Sequence, residues 1–554
     1  WLKAGVCPPS PLSAPVDWQA SAQMAIFSVP AENSTRGDAG SPRRPTLLHG
    51  SQGGSPQAVK TSSLRAAERR VNAEKRVAFV TVPLKGHMRV AVELAADMSR
   101  RGYAVDLLIS AAGVTSELRA LEQACSGLTL HAITEGKDLI TEMDWARVAS
   151  STGRLGGSSL TLMEEIVRAC RAMPEYVELL RAMLTTLARL QPDLVVLDHA
   201  LKLVQLWAEG RQIPTVFLHT PYFLTGTPTG CARMSPDQRR RMDRYIKDND
   251  PMGKLASPRE ELGIAPGQKV TLGEGADGQR PGEGFAPHTL VFCEPELLNE
   301  PSVPARVHVV GPCLAEDGRG LDGDLAAWLR DAEEQHERVL YVALGTLSNG
   351  FLTPAAVGTL LDAFARLGDG WRVLWSLPAK QQPLLEQSCR PWDAQQLRVE
   401  EFVPQRTVLA HPAVRLFLTH CGQSSVNEGL AAGLPLLCMP FFCDQYEMAE
   451  ALDRHGLGLV FHKDELLAGQ HERLASLLLR AADEPCLRET ARRYAQLMWL
   501  RGGCRRAAEV FESILYAGVD FQELWRGTAA SPRDAPPRAV GCLQGIARLC
   551  GGQQ

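Results

Sequence analysis

The chain has 554 residues, 45 % of them hydrophobic, which is enough for two large buried cores with tails on either side. Its net charge is −4, with both signs mixed along the chain, which excludes a broad nucleic-acid-binding face and a general pull toward acidic membranes. No apolar run reaches the roughly 18 residues of a membrane span, so none is expected. Fourteen cysteines are scattered without C-x-x-C spacing. They read as reduced, buried thiols of a cytoplasmic protein, with no zinc pattern. The first residue is Trp1, not Met, which leaves an organellar targeting segment open.

Residues 1–74 are rich in Ser, Pro, Ala and Gly and read as disordered or as a leader. Folded sequence starts near Lys75. Arg76–Val82 (RVAFVTV) is a predicted buried strand; Gly86 and His87 follow, then a helical pattern over Val90–Arg101 that stops at Gly102. Ala104–Ile109, Asp193–Asp198 and Thr215–Leu218 read as strands, with helices at Glu175–Leu190 and Leu201–Arg211. Such alternation predicts parallel βαβ units in a doubly wound α/β sheet. Pro228–Pro287 breaks the rhythm with a polar excursion, partly helical, whose Gly267–Gly284 portion reads as a mobile loop. The basic run Arg239–Arg241 within it is followed by acids and reads as a solvated face.

Alternation resumes near Val291. Strands are predicted at Val307–Val310, Val339–Leu344, Trp371–Trp375, Leu397–Phe402, Arg415–Thr419, Leu434–Met439 and Gly458–Phe461. Leu474–Ala482, Cys486–Leu500 and Arg505–Tyr516 read as closing helices, and 527–554 as a loose tail. The expected layout is one α/β domain over 75–310 and another over 311–526. Ligands should bind between them, at the C-terminal ends of both sheets.

The chemistry concentrates at Arg415–Ala432. A strand runs into His420-Cys421-Gly422-Gln423-Ser424-Ser425 and then into a helical segment. Free N–H groups at such a helix start attract an anion, and His420, Ser424 and Ser425 add donors suited to a diphosphate without a metal. Ser425-x-x-Glu428 also spells a capping box, a purely structural reading. His87, after a strand and Gly86, is either a base placed at a sheet edge or a loop histidine without a role. Asp198, ending DLVVLD, could fix the tautomer of a histidine or cap the helix after Ala200. Asp193 begins the same strand and belongs at the opposite edge.

In chain order, Phe402-x-x-Gln405, Leu409, His411, His420-Cys421-Gly422, Ser425, Glu428, Gly433-x-Pro435, Pro440 and Asp444-Gln445 together resemble a known signature. It is the donor site of the family 1 UDP-glycosyltransferases, which include plant secondary-product, animal drug-conjugating and bacterial macrolide enzymes. Sparser resemblance extends over about 75–524. It implies the GT-B fold, two Rossmann-like domains facing a cleft, with acceptor binding over 75–310 and nucleotide-sugar binding over 311–526. The resemblance implies that Phe402 stacks on uracil, with Val403 and Gln405 beside it. It also implies that His420, Gly422, Gln423, Ser424 and Ser425 hold the diphosphate, as do Gly345 and Thr346. Glu428 would take the ribose, and Asp444 and Gln445 the sugar. The family's Gly-His turn makes His87 the base, and its dyad position falls on Asp198.

Departures stand at Phe402 (the family's plant members usually have Trp), at Gln423-Ser424 (Trp-Asn) and at Val90 (Pro). The implied co-substrate is a UDP-sugar, with UDP-glucose compatible with Asp444-Gln445, and no cofactor or metal. The partners expected are a small, largely apolar acceptor and the donor, with no nucleic acid and a monomeric protein. The rival readings are a sterol or lipid transferase of the same fold, a sugar-nucleotide epimerase, and a non-catalytic UDP-sugar binder.

Overall fold

The computed structural model describes residues 71–150, 156–198, 200–219, 236–264, 288–294, 297, 307–314, 320–321, 323–345, 347, 351–393, 395–442 and 444–517. Most of the expected leader, the glycine-rich loop Gly267–Gly284 and the tail 527–554 lie outside them. No helix among the described residues is long and apolar enough to cross a membrane.

Two parallel sheets carry the chain. The first has β1 (Arg76–Val80), β2 (Ala104–Ser110), β3 (Leu128–Ile133), β4 (Leu194–Asp198), β5 (Thr215–His219), β6 (His288–Val291) and β7 (Val307–Val309), in the order β3-β2-β1-β4-β5-β6-β7. The second has β8 (Arg338–Ala343), β9 (Trp371–Ser376), β10 (Leu397–Glu400), β11 (Val414–Thr419), β12 (Leu436–Cys438) and β13 (Gly458–Val460), in the order β10-β9-β8-β11-β12-β13. The doubly wound architecture expected from the alternation is therefore present twice. Two strands were not expected. In β3, LTLHAI, polar residues interrupt the apolar run; β6 is only four residues long. Strands such as β1 and β4 are buried on both faces and so read as continuous apolar runs.

Each sheet reverses its winding once, between β1 and β4 and between β8 and β11. Helices from the two sides diverge there and leave a crevice beyond the strand ends. Val80 pairs with Leu197 across the first switch point, and Thr419 with Ala343 across the second. Whatever follows β1, β4, β8 and β11 is thus brought to a crevice by topology alone.

Helix α1 (Lys85–Arg100) follows β1. It buries Val90, Ala91, Leu94, Ala95 and Met98, the stripe a helix of 3.6 residues per turn lays on a sheet. It begins five residues earlier than its apolar period suggests, so His87 sits in its first turn and not in a preceding loop. After α2 (Met173–Leu190), α3 (Gln423–Ala431), α4 (Gln445–Arg454) and α5 (Pro485–Arg501) comes the last helix, α6 (Cys504–Leu515). Its position departs from the expected layout. It returns to the first sheet, where Phe511 meets the edge of Phe79 with ring centroids 6.0 Å apart and joins the core of β1 and α1. The reason is its apolar face, Ala507, Ala508, Val510 and Phe511, which is buried there.

Chain also crosses in the other direction. Val148 and Ala149, from the first half of the sequence, lie in the core of the second sheet. The buried ammonium of Lys463 donates to the carbonyls of Ala149 and Phe441, both at 2.8 Å. The two halves also meet where Asn427 Nδ2 of α3 donates to the Phe292 carbonyl at 2.7 Å.

Candidate active site

At the first switch point, His87 Nδ1 lies 2.8 Å from Asp198 Oδ2. Asp198 is fully buried, and its other oxygen accepts from the Ala200 N–H at 2.9 Å. Asp198 thus holds His87 and the turn at Ala200, but the expectation that it caps the next helix fails, because that helix runs over Lys202–Glu209 with Leu201 as its N-cap and no side-chain cap. Asp193 starts at the far edge of the sheet, bonded to Lys75 and to the Arg76 N–H. His199, next in sequence and the local competitor to His87 as base, lies outside the described residues.

Burial alone pulls the His87 imidazole down. The charge of Asp198, its hydrogen bond and the charge of Asp444 outweigh this and hold His87 above 6.5. In turn, burial pushes the Asp444 carboxyl up to about 6, against the pull of His87.

At the second switch point the loop after β11 turns sharply. Cys421 is fully buried with φ +65°, a left-handed conformation unusual for a side-chain-bearing residue, and such strain gathers at ligand sites. The ring of His420 lies between two glycines. A Cβ at Gly345 (φ +76°) would stand 2.5 Å from its Nε2, and one at Gly422 2.4 Å. Only glycine fits either position, which gives a physical reason for Gly345 and for Gly422 of the signature. Burial drives His420 down to about 4, against a backbone hydrogen bond with Ala343, so its ring is neutral at physiological pH.

Helix α3 starts with Gly422 as its N-cap and has no side-chain cap. The capping-box reading of Ser425 and Glu428 is thereby overturned, since the helix begins at Gln423 and Ser425 is already inside it. Glu428 instead faces the side of the site. Its Oε2 accepts from Gln405 Nε2 at 2.7 Å, and its Oε1 is ion-paired with Arg89 of α1. Gln405 Nε2 also lies 3.3 Å from Ser425 Oγ, while its Oε1 accepts from the Tyr341 hydroxyl at 3.1 Å. Gln405, Ser425 and Glu428 thus form one network. Ser424 Oγ lies 3.5 Å from the Gly86 carbonyl oxygen, which joins this turn to the His87 turn. Gln423 is buried, yet among the described residues its Nε2 has no partner, a donor suited to an anionic oxygen.

Other expected residues fall differently. Phe402 is 62 % exposed, on the loop just past β10, with its ring available for stacking. Val403 packs into the core, so its side chain does not reach the site. The side-chain oxygen of Gln445 accepts from the N–H groups of Phe441 and Phe442 at 2.9 and 3.2 Å and shapes the loop ahead of α4. Thr346 lies outside the described residues. Sequence reasoning passed over Arg89, whose only local signal was a charge four residues before Glu93, and Tyr341, hidden in an apolar strand. Among the described residues, no three His, Cys, Asp or Glu side chains gather as a metal site.

Two α/β halves, each a doubly wound parallel sheet with one switch point, define the class of GT-B folds. Solved structures of like fold include the glycotransferase of kitacinnamycin (19 % identity, TM-score 0.56, 79 % of this chain and 98 % of that one). Another is the calicheamicin glycosyltransferase CalG4 (22 %, TM-score 0.56, 80 % and 99 %). The family model described as UDP-glucoronosyl and UDP-glucosyl transferase matches residues 310–476, the region of the second sheet. Among curated relatives, UDP-glycosyltransferase 1 of Phaeomoniella chlamydospora is 30 % identical over 221 residues, 37 % of this chain and 42 % of that protein. UDP-glycosyltransferase 84A4 of Arabidopsis thaliana is 33 % identical over 183 residues, 32 % and 37 %. The matches thus span less than half the length of these relatives.

Proposed function

We propose that this protein is an inverting glycosyltransferase that moves a hexose from a UDP-sugar to a hydroxyl of a small, largely apolar acceptor. The single observation that carries the reading is the 2.8 Å contact between His87 and Asp198, at the turn that Ser424 approaches from the anion site. With Nδ1 committed to Asp198, Nε2 is the nitrogen that takes the acceptor proton. The acceptor oxygen forms its bond to the anomeric carbon from the face opposite the phosphate. The carbon–oxygen bond to UDP breaks, and UDP keeps the electron pair. The imidazolium left behind is stabilised by Asp198.

The leaving diphosphate meets neutral donors at α3: Ser424, Ser425, the Gln423 amide and backbone N–H groups. Glu428 takes the ribose, Gln405 and Phe402 the base, and Asp444 the sugar. The relatives named UDP-glycosyltransferases support the donor class.

The test is mass-spectrometric screening of UDP-sugars, UDP-glucose first, against pooled hydroxylated small molecules. A hexose mass added to an acceptor, with inverted anomeric configuration by NMR, is the expected result. UDP binding without turnover on a broad panel contradicts the reading.

A further inference from the structure

The carboxylate of Glu428 is not open to a ribose in this structure. Its side chain is 2 % exposed. One oxygen is held by Gln405, and the other is paired with Arg89, which comes from the opposite half on α1, two residues after His87. A hydroxyl approaching Glu428 must first move the guanidinium. Arg89 has somewhere to go. Its Nε lies 3.6 Å from Glu93 Oε1, one turn along the same helix, and its own side chain is about one-third exposed. A guanidinium carries five N–H donors in a planar fork, so it can serve both carboxylates or shift onto one.

We propose that Arg89 is a competing ligand for the ribose carboxylate: it occupies Glu428 while the nucleotide is absent, and the ribose hydroxyls displace it onto Glu93. The inference rests on Glu428 as the ribose ligand of the proposed reaction. Donor entry then breaks an ion pair between the two halves each time. Arg89 thereby sets donor affinity and couples pocket opening to the helix that carries His87. A nucleotide lacking ribose hydroxyls gains nothing from the exchange.

The experiment is calorimetric titration of uridine and, separately, UDP into the full chain as wild type, Arg89→Gln, Glu93→Gln and Glu428→Gln. Arg89→Gln should bind both ligands more tightly, by about fivefold, the upper range for one partly exposed ion pair. Glu93→Gln, which removes the second partner, should weaken both. It is an independent variant should Arg89→Gln melt far below wild type. If Arg89→Gln weakens UDP and leaves uridine unchanged, Arg89 serves the diphosphate and the proposal falls. Unchanged affinity for both ligands in both variants also overturns it. These failures leave the proposed function standing as long as Glu428→Gln weakens UDP. Failure of the wild type to bind either ligand overturns both.

Discussion

The two switch points use the same scaffold with their chemistry exchanged. After the first strand of its sheet, one half carries Gly86-His87 and the other Gly345. At the neighbouring strand end, one half carries Asp198 and the other His420. In the first half a histidine meets a buried carboxylate and is held above 6.5; in the second a histidine is buried between two glycines, with a backbone hydrogen bond at Ala343 and no carboxylate partner among the described residues, and burial drives it down to about 4. Two histidines pushed apart by their surroundings suit two jobs: one that gains and loses a proton, and one that stays neutral beside an anion. The fold supplies the crevice, and the partner of each ring decides its role.

The comparison breaks most sharply at His87. His87→Ala should lower kcat by about 10²–10⁴-fold, the usual contribution of a general base, with UDP affinity unchanged by calorimetry. Substantial residual transfer would return His87 to a structural role. Asp198→Asn keeps the shape but removes the charge, and a loss of about 10²-fold is expected. On the donor side, Glu428→Gln should weaken UDP about tenfold, in line with losing hydrogen bonds to a charged group, and change kcat little. The last test is one of stability and leaves the reacting groups in place. Gly345→Ala should cost about 1–2 kcal/mol for its left-handed backbone and a further ~1–3 kcal/mol for overpacking against the His420 ring, read from the thermal midpoint.

The turn proposed as the donor side was legible as a cluster in the sequence because its residues are nearly contiguous. His420, Gly422, Ser424, Ser425 and Glu428 fall within nine positions, and the strand and helix around them have clear periods. The sheets were legible where strands are buried on both faces, and not at β3 and β6, where the run is mixed or short. Pairings between distant segments carry no local signal. Asp198 lies 111 positions from His87, and only the family resemblance joined them. Arg89 and Glu428 are 339 positions apart, and nothing in the sequence joined those. The return of α6 to the first sheet was hidden for the same reason, since an amphipathic period says that a face is buried but not against what. The capping box shows the converse error. Ser425-x-x-Glu428 has the right spacing, but the helix starts two residues ahead of Ser425.

The central claim is that His87, tuned by Asp198, is the base. A base works deprotonated, so a raised pKa means that transfer climbs as pH rises through a value above 6.5. The deciding measurement is the pH profile of kcat/KM for wild type and Asp198→Asn, with Asp444→Asn alongside because that carboxyl itself titrates at about 6. The account predicts an acidic limb above 6.5 in the wild type. In Asp198→Asn the limb should move to lower pH, and in Asp444→Asn it should move the same way by less, since each variant removes a charge that holds the proton on His87. Superimposable limbs in wild type and Asp198→Asn would contradict it.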